Sequence, residues 1–152
     1  MPLWYQWYFQ IERGRAGLAA DRRGITRILW RQWSPNWQFD EVMLERTSVA
    51  HDNSDYVDVV IHSYRHRYGL ADGDPRYADI QRRLAALPPI TVPAITLDGD
   101  ADGVVPATDG SASAAKFSGP RVHRVIPRAG HNLPQEAPEE FAAAVMELVK
   151  RS

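Results

Sequence analysis

The stretch ITLDGDADGVVPATD, residues 95–109, decides how the chain is read. It carries Asp98, Asp100, Asp102 and Gly103, with Asp109 eleven residues after Asp98. That is close to a calcium-loop spacing, D-x-D-x-D-G with an acid at position 12. A calcium loop of that kind lies between two helices and closes on a bidentate Glu. Here the aspartates follow ITVPAITL, residues 90–97, which is short, apolar and rich in β-branched side chains. Position 12 is the shorter Asp109, Pro106 stands at position 9, and no long amphipathic helix follows. The spacing lacks its context and carries little weight. The other reading is a strand over 90–97, buried on both faces, that runs into a turn presenting one carboxylate. Pro93 sits near the start of that strand, where proline is tolerated.

The elements on either side fit the second reading. Residues 107–118 allow a small Ala/Ser-rich helix, and VHRVIP, 122–127, reads as a second strand. A last helix starts at Pro138 and places Phe141, Val145, Leu148 and Val149 on one face. It ends in Lys150-Arg151, which suits the negative end of a helix dipole. Upstream the chain reads as helices. Residues 3–13 carry a dense aromatic stripe; Ile25, Ile28, Leu29 and Trp33 share one helical face that Ser34-Pro35 stops. Asp40 caps a helix running to about Ala50, and Asn53 or Ser54 opens another whose stripe is Val57, Val60, Ile61, Tyr64 and Tyr68. Asp74-Pro75 is an N-cap followed by proline at the first helical position, and that helix ends near Pro88-Pro89.

The expected architecture is a helix-rich α/β chain, with a helical block over 1–88 followed by strand–helix–strand–helix over 89–152. The β-α-β unit implies two parallel strands joined by a right-handed crossover. Parallel sheets are normally covered on both faces and have more than two strands, so the rest of the sheet is expected from elsewhere.

Composition bounds the function. A chain of 152 residues with 44% hydrophobic content and net charge −1 is neither disordered nor basic enough for nucleic acid. With no cysteine, disulfides, thiolate catalysis and Cys-based zinc sites are excluded. No apolar run approaches the ~20 residues of a membrane span. No secretory signal is recognisable, so a cytoplasmic protein is expected. The opening WYQWYFQ, rich in aromatics, reads as the middle of a longer chain, since free termini tend to be polar.

In parallel α/β sheets, ligands bind beyond the carboxyl ends of the strands. Asp102 follows the first strand, and His131, in RAGHNLP, follows the second. An acid that orients a histidine is two-thirds of a nucleophile–base–acid triad. Asp102 would hold the imidazole tautomer, and His131 would take a proton from a nucleophile or a water. Asp98 and Asp100 read as strand-end and turn residues, available for backbone hydrogen bonds. His51, His66 and His123 carry no motif and read as solvated.

The segments GDADGVVP and AGHNLPQEAPEEF resemble the acid and histidine motifs of α/β-hydrolase-fold enzymes. The resemblance maps the acid onto Asp102 and the histidine onto His131, with Pro138 opening the C-terminal helix. It makes the helical block the family's cap and the whole a partial α/β-hydrolase fold. WYQWYFQ is similar to the cap start of soluble epoxide hydrolases, where an aromatic-Tyr-Gln run supplies an active-site tyrosine. That implies a role for Tyr5 with Gln6 beside it; IHSYRHRYG offers Tyr64-Arg65 as the second cap tyrosine. In those enzymes an aspartate attacks the epoxide carbon, two phenols stabilise the alkoxide, and the histidine activates water.

Haloacetate dehalogenases use the same Asp–His–Asp chemistry, with cap donors for halide that Trp4, Trp7, His62 and Tyr64 could supply. His62 otherwise reads as a helix-surface residue. A serine esterase of the same fold, or a non-catalytic module pairing with another subunit, stays open. The G-x-S-x-G or G-x-D-x-G nucleophile motif is absent from this sequence. The short Gly-to-Gly match from Gly99 to Gly103 centres on Ala101. The chain therefore resembles the C-terminal half of such a hydrolase. A small-molecule substrate is implied, with no cofactor, no metal, no nucleic acid and no membrane. A complementing N-terminal half or a homo-oligomer is the expected partner.

Overall fold

A computed structural model of the chain describes residues 3–151, Arg151 by its backbone alone. Residues 1–2 and 152, the outer ends of the two expected segments, lie outside the described residues. The chain divides into two compact units. One gathers the chain up to Gln32 with Gln38–Tyr77; the other gathers Trp33–Trp37 with the chain from Ala78. The expected limit at residue 88 falls inside the second unit.

The first unit is helical. The aromatic run does not form one helix: α1 (Trp4–Tyr8) ends in a turn, and α2 (Glu12–Ala20) starts afresh. Gly14 is what lets the two meet. A Cβ there would lie 1.7 Å from the Tyr8 carbonyl oxygen, so any larger residue would push α2 off α1. α3 (Arg22–Trp33) stops where Ser34-Pro35 requires it. α4 (Glu41–Ser48) starts under Asp40, whose Oδ1 accepts the Met43 N–H at 2.7 Å. It tightens into a 3-10 turn, Val49–Asp52. α5 (Tyr56–Arg67) starts slightly later than expected. Asn53 still prepares it, accepting the Asp55 N–H on Oδ1 at 2.9 Å and the Tyr56 N–H on its carbonyl at 3.1 Å. Asp74 accepts the Arg76 N–H at 2.9 Å and leads a 3-10 turn, Pro75–Tyr77.

The core of this unit is Tyr5, Phe9, Leu18, Leu29, Leu44, Val57 and Ile61. Leu18 and Leu44 are fully buried, and each such side chain is worth about 1.5–3 kcal/mol. Arg15 of α2 pairs with Asp58 of α5, and Arg27 of α3 with Glu41 of α4. Both pairs are exposed and add little. Two histidines differ from expectation. His51 is buried, its ring 4.6 Å from that of Tyr56, and its Nδ1 has no partner among the described residues. Burial, then the Arg23 charge, holds its pKa below the usual histidine value. His66 is half-buried and donates from Nδ1 to the Ala71 carbonyl at 3.0 Å.

The second unit is built on two parallel strands, β1 (Ala94–Gly99) and β2 (Arg121–Ile126), in register from Ala94↔Arg121 to Gly99↔Ile126. β1 starts after Pro93, which removes a ladder donor. Ile90 makes only an isolated bridge, to Phe117. Residues 94–98 are half-buried, not buried on both faces as the apolar run implied. α6 (Ala78–Ala85) precedes the strands, and α7 (Ser111–Ala114) lies on the crossover. α8 (Leu133–Glu136) and α9 (Pro138–Arg151) follow β2. Ile126, Ala129, Leu133 and Ala137 form the core, with Leu97 against it. α9 packs on β1, and its Glu147 pairs with Arg124 of β2 at 2.6 Å. Among the described side chains of α9 the buried one is Ala144; Phe141, Val145 and Val149 of the expected stripe are exposed.

His123, expected in solvent, is also held inside this unit, its side chain only 14% exposed. Thr96 Oγ1 takes two N–H groups of Arg121 and lies 2.9 Å from His123 Nδ1. Thr96 therefore gives its own proton to Nδ1, leaving Nε2–H for the Thr108 carbonyl at 2.9 Å. No helix among the described residues is long and apolar enough to cross a membrane.

Candidate active site

β1 and β2 end together, at Gly99 and Ile126, so the turns after them start at one edge of the sheet. The two turns are stitched by their backbones. The Asp100 N–H donates to the Ile126 carbonyl at 3.2 Å, and the Ala101 N–H to the Ala129 carbonyl at 2.9 Å. Gly99 permits this approach, because a Cβ there would lie 2.3 Å from the Ala129 oxygen. Asp100 accepts the Arg128 N–H on Oδ1, and Arg128 takes a positive φ of 63°.

Asp98, Asp100 and Asp102 of the opening stretch now separate. Asp98 Oδ2 accepts the Thr108 N–H at 3.1 Å and its hydroxyl at 3.3 Å. Asp100 ties the second turn down. Asp102 accepts the Val104 N–H at 2.7 Å and the Val105 N–H at 3.0 Å, both on Oδ1. Its Oδ2 lies 2.9 Å from His131 Nδ1. Asp102 is 13% exposed in its side chain and His131 37%. A carboxylate can only accept, so Nδ1 carries the proton and Nε2 the lone pair. That is the tautomer a general base needs. Among the described residues no group of three or more His, Asp or Glu is placed to hold a metal ion.

The loop bearing His131 is fixed from two sides. Glu136, at the end of α8, accepts the Gly130 N–H at 2.8 Å and the Asn132 N–H at 3.0 Å. Residues 33–34 meet the loop as well. The Trp33 carbonyl accepts the Gly103 N–H at 2.9 Å and the His131 N–H at 3.1 Å. Its ring stands edge-on to the imidazole, with centroids 5.5 Å apart at 68°. Ser34 Oγ accepts from the Asn132 N–H at 3.1 Å and from Nδ2 at 3.0 Å. None of Trp33, Ser34, Asn132 and Glu136 was singled out for the site from sequence. Trp33 was visible only as part of a helical stripe and Ser34 only as a helix stop.

The other candidates lie in the first unit. Tyr5 is buried and Tyr64 half-buried, their rings 5.5 Å apart and near-perpendicular at 83°. Burial first, and the neighbouring Tyr5 phenol second, push the Tyr64 pKa up to about 12. Tyr64 is thus a neutral O–H donor at any ordinary pH. Gln6, 7% exposed, donates from Nε2 to the Tyr5 oxygen at 3.4 Å and accepts the Tyr68 O–H at 2.5 Å. Gln10 Nε2 donates to the Gln6 carbonyl at 2.8 Å and to the Tyr64 carbonyl at 3.3 Å. Tyr68, read only as the end of a stripe, is therefore part of this polar chain. Trp4 gives its indole N–H to Gln32 at 2.8 Å. Trp7 is 60% exposed, its ring 5.2 Å from that of Tyr68. His62 is exposed, as expected, and donates from Nε2 to the Asp72 carbonyl at 3.0 Å.

No family model and no curated protein matches the chain. A solved structure does: a protein from Klebsiella pneumoniae subsp. pneumoniae MGH 78578 described as a "putative epoxide hydrolase". It is 44% identical, with a TM-score of 0.91 over 97% of this chain. The chain spans about half of that protein's length, 49%. The chain is thus similar, over nearly all its length, to part of a protein described as a "putative epoxide hydrolase".

Proposed function

We propose that the chain is the cap and acid–histidine part of an α/β-hydrolase-fold epoxide hydrolase, residues 1–88 forming the cap and 89–152 the C-terminal part of the core. The observation that carries this is the Asp102–His131 contact at 2.9 Å, with the second Asp102 oxygen held by two backbone N–H groups. The likeness to the Klebsiella protein supports the choice of epoxide over other substrates of such a pair.

In the proposed reaction a carboxylate supplied by a segment outside this sequence attacks an epoxide carbon. The C–O bond breaks, and the developing alkoxide takes a proton from Tyr5 or Tyr64. A hydroxyalkyl ester results. His131 Nε2 then takes a proton from water as that water attacks the ester carbonyl, and Asp102 stabilises the imidazolium. Collapse releases a diol and restores the carboxylate; the phenol recovers its proton from the imidazolium through solvent. No cofactor or metal enters these steps. The haloacid alternative needs N–H donors for a departing halide. The Trp4 N–H is already given to Gln32, which favours the phenols and the epoxide.

The test is complementation. The chain is co-expressed with the half of the Klebsiella protein it does not match and offered an aryl epoxide, a haloacetate and an aryl ester. The chain alone is expected to turn over none. The pair is expected to hydrolyse the epoxide, and single turnover in oxygen-18 water should label the attacking carboxylate. Turnover of the ester alone would establish the serine-esterase reading instead. Epoxide hydrolysis by the isolated chain, abolished by Asp102→Asn, would sink the proposal that the nucleophile lies elsewhere.

A further inference from the structure

Asp102 and His131 lie on separate turns, and both are held by a third segment that is remote in sequence. Trp33 is 98 residues from His131 and Ser34 is 98 residues from Asn132. One carbonyl oxygen has two lone pairs. That of Trp33 spends both on the site, one on the amide next to Asp102 and one on the amide of His131 itself. Ser34 is 1% exposed; its hydroxyl accepts from Asn132 Nδ2 and shares the Asn132 N–H with Glu136, which restrains the residue after the base. Gly130 reports the same closeness: a Cβ there would lie 2.6 Å from Ser34 Cα and 2.9 Å from its Cβ and Oγ. The Trp33 ring, edge-on to the imidazole at 5.5 Å, limits rotation of His131 about its side-chain bonds.

We infer that the Trp33–Ser34 corner is a clasp that positions the acid and the base relative to each other, with Ser34 and the Trp33 carbonyl as positioning groups. A site of this kind needs its groups held within about 0.5 Å of the productive geometry. Glu136 holds only the histidine turn. The clasp is the element that reaches both turns. Its catalytic meaning rests on the acid–base reading of Asp102 and His131 above; its geometry does not.

The experiment uses nitrogen-15 NMR of the full chain. In the wild type, the Gly103 and His131 amides are expected to exchange at least about 100-fold slower than unstructured amides, the mark of a locally stable contact. The His131 Nδ1–H should give a downfield resonance that exchanges slowly with water. In Ser34→Ala that exchange should quicken by about 5–30-fold, the factor that loss of one or two hydrogen bonds corresponds to. Ser48→Ala serves as control. Ser48 is buried at 0% exposure and its hydroxyl has no partner among the described residues, so it should leave the resonance unchanged. A folded Ser34→Ala with wild-type Nδ1–H exchange would overturn the inference, as would unprotected Gly103 and His131 amides in the wild type. Should Ser34→Ala fail to fold, the wild-type amides decide alone. Failure of epoxide hydrolysis on complementation, with these NMR results intact, would overturn the functional reading and leave the clasp standing.

Discussion

Replacing Asp102 by Asn tests the site at its centre. The carboxylate uses its two oxygens differently. Oδ1 accepts two backbone N–H groups, at 2.7 and 3.0 Å, and Oδ2 accepts the imidazole proton at 2.9 Å. An asparagine has one oxygen and one NH2. With the oxygen left on Val104 and Val105, the NH2 faces His131 Nδ1, which must then accept. The proton moves to Nε2, and the lone pair that would take a proton from water is gone. With the amide flipped, Nδ1 keeps its proton, but the NH2 confronts two N–H donors. Val105 is 57% exposed, so its N–H can turn to water at little cost. The Val104 amide is partly buried, and leaving it without an acceptor costs about 1–3 kcal/mol. A difference of one to two kcal/mol favours the unflipped state by about 5–30-fold. The variant should therefore fold, with a tautomer exchange at His131 as its main consequence. Long-range nitrogen–proton correlation spectra of the chain at pH 8 would show it, the protonated nitrogen changing from Nδ1 to Nε2. In the complemented enzyme kcat should fall by about 10⁴, the loss associated with the wrong tautomer in a Ser–His–Asp triad. An unchanged tautomer in a folded Asp102→Asn would refute the premise that backbone amides fix the carboxylate's orientation.

Three further outcomes are expected. Gly130→Ala should lose more stability than Gly69→Ala, although only Gly69 has a positive φ, 71°. Gly69 has open space around it and costs about 1 kcal/mol; Gly130 meets Ser34 Cα at 2.6 Å, an overpacking cost of about 1–3 kcal/mol or more. Thermal melts should show Gly130→Ala lowered by about 2–12 °C at 2–4 °C per kcal/mol, and equal midpoints would contradict the contact. Tyr64→Phe should remove, from a 295 nm titration, the phenol that ionises at about 12; loss of one titrating near 10 instead would remove the basis for Tyr64 as a deeply shielded donor. His51 has a depressed folded pKa, so its stabilising contribution is complete above the unfolded value of about 6.5 and declines as pH falls below it. Melting midpoints between pH 8 and 5 should fall less steeply in His51→Phe than in the wild type; identical slopes would mean that His51 protonates freely in the folded state.

The parts of this structure that were legible in sequence are those set by neighbours in the chain. Asp40 caps α4 because a side-chain oxygen three residues before an amide can reach it. Ser34-Pro35 stops α3 because proline excludes the helical region for its predecessor. The β1–β2 pair follows from two apolar runs with a short crossover. What could not be read depends on contacts far apart in the chain. A helical stripe says which residues are apolar, not what covers them, and so Ala144 is buried in α9 while Phe141, Val145 and Val149 are exposed. His123 carries no local pattern; it is held by Thr96 and Thr108, at separations of 27 and 15 residues. Trp33 and Ser34 do have a local reading, as the end of a helix, and it is correct. Their second task arises because the last carbonyls of a helix have no intrahelical donor and are open to donors from elsewhere.

The aspartates of residues 95–109 show why residue type and spacing did not suffice. A calcium ion takes six to eight oxygens converging at about 2.3–2.6 Å. Convergence is a property of where the oxygens point, and each of these carboxylates is turned by a different donor. Asp98 is turned towards Thr108, Asp100 towards the Arg128 N–H and Asp102 towards His131. To gather them on one ion, those hydrogen bonds would have to be given up. The donors come from residues 104–108, from the second turn and from the base, and none of them is implied by the D-x-D-x-D pattern. It is the parallel pairing of β1 with β2 that delivers the second turn to the first. Once that pairing is granted, Asp102 stands where its carboxylate can orient the imidazole of His131.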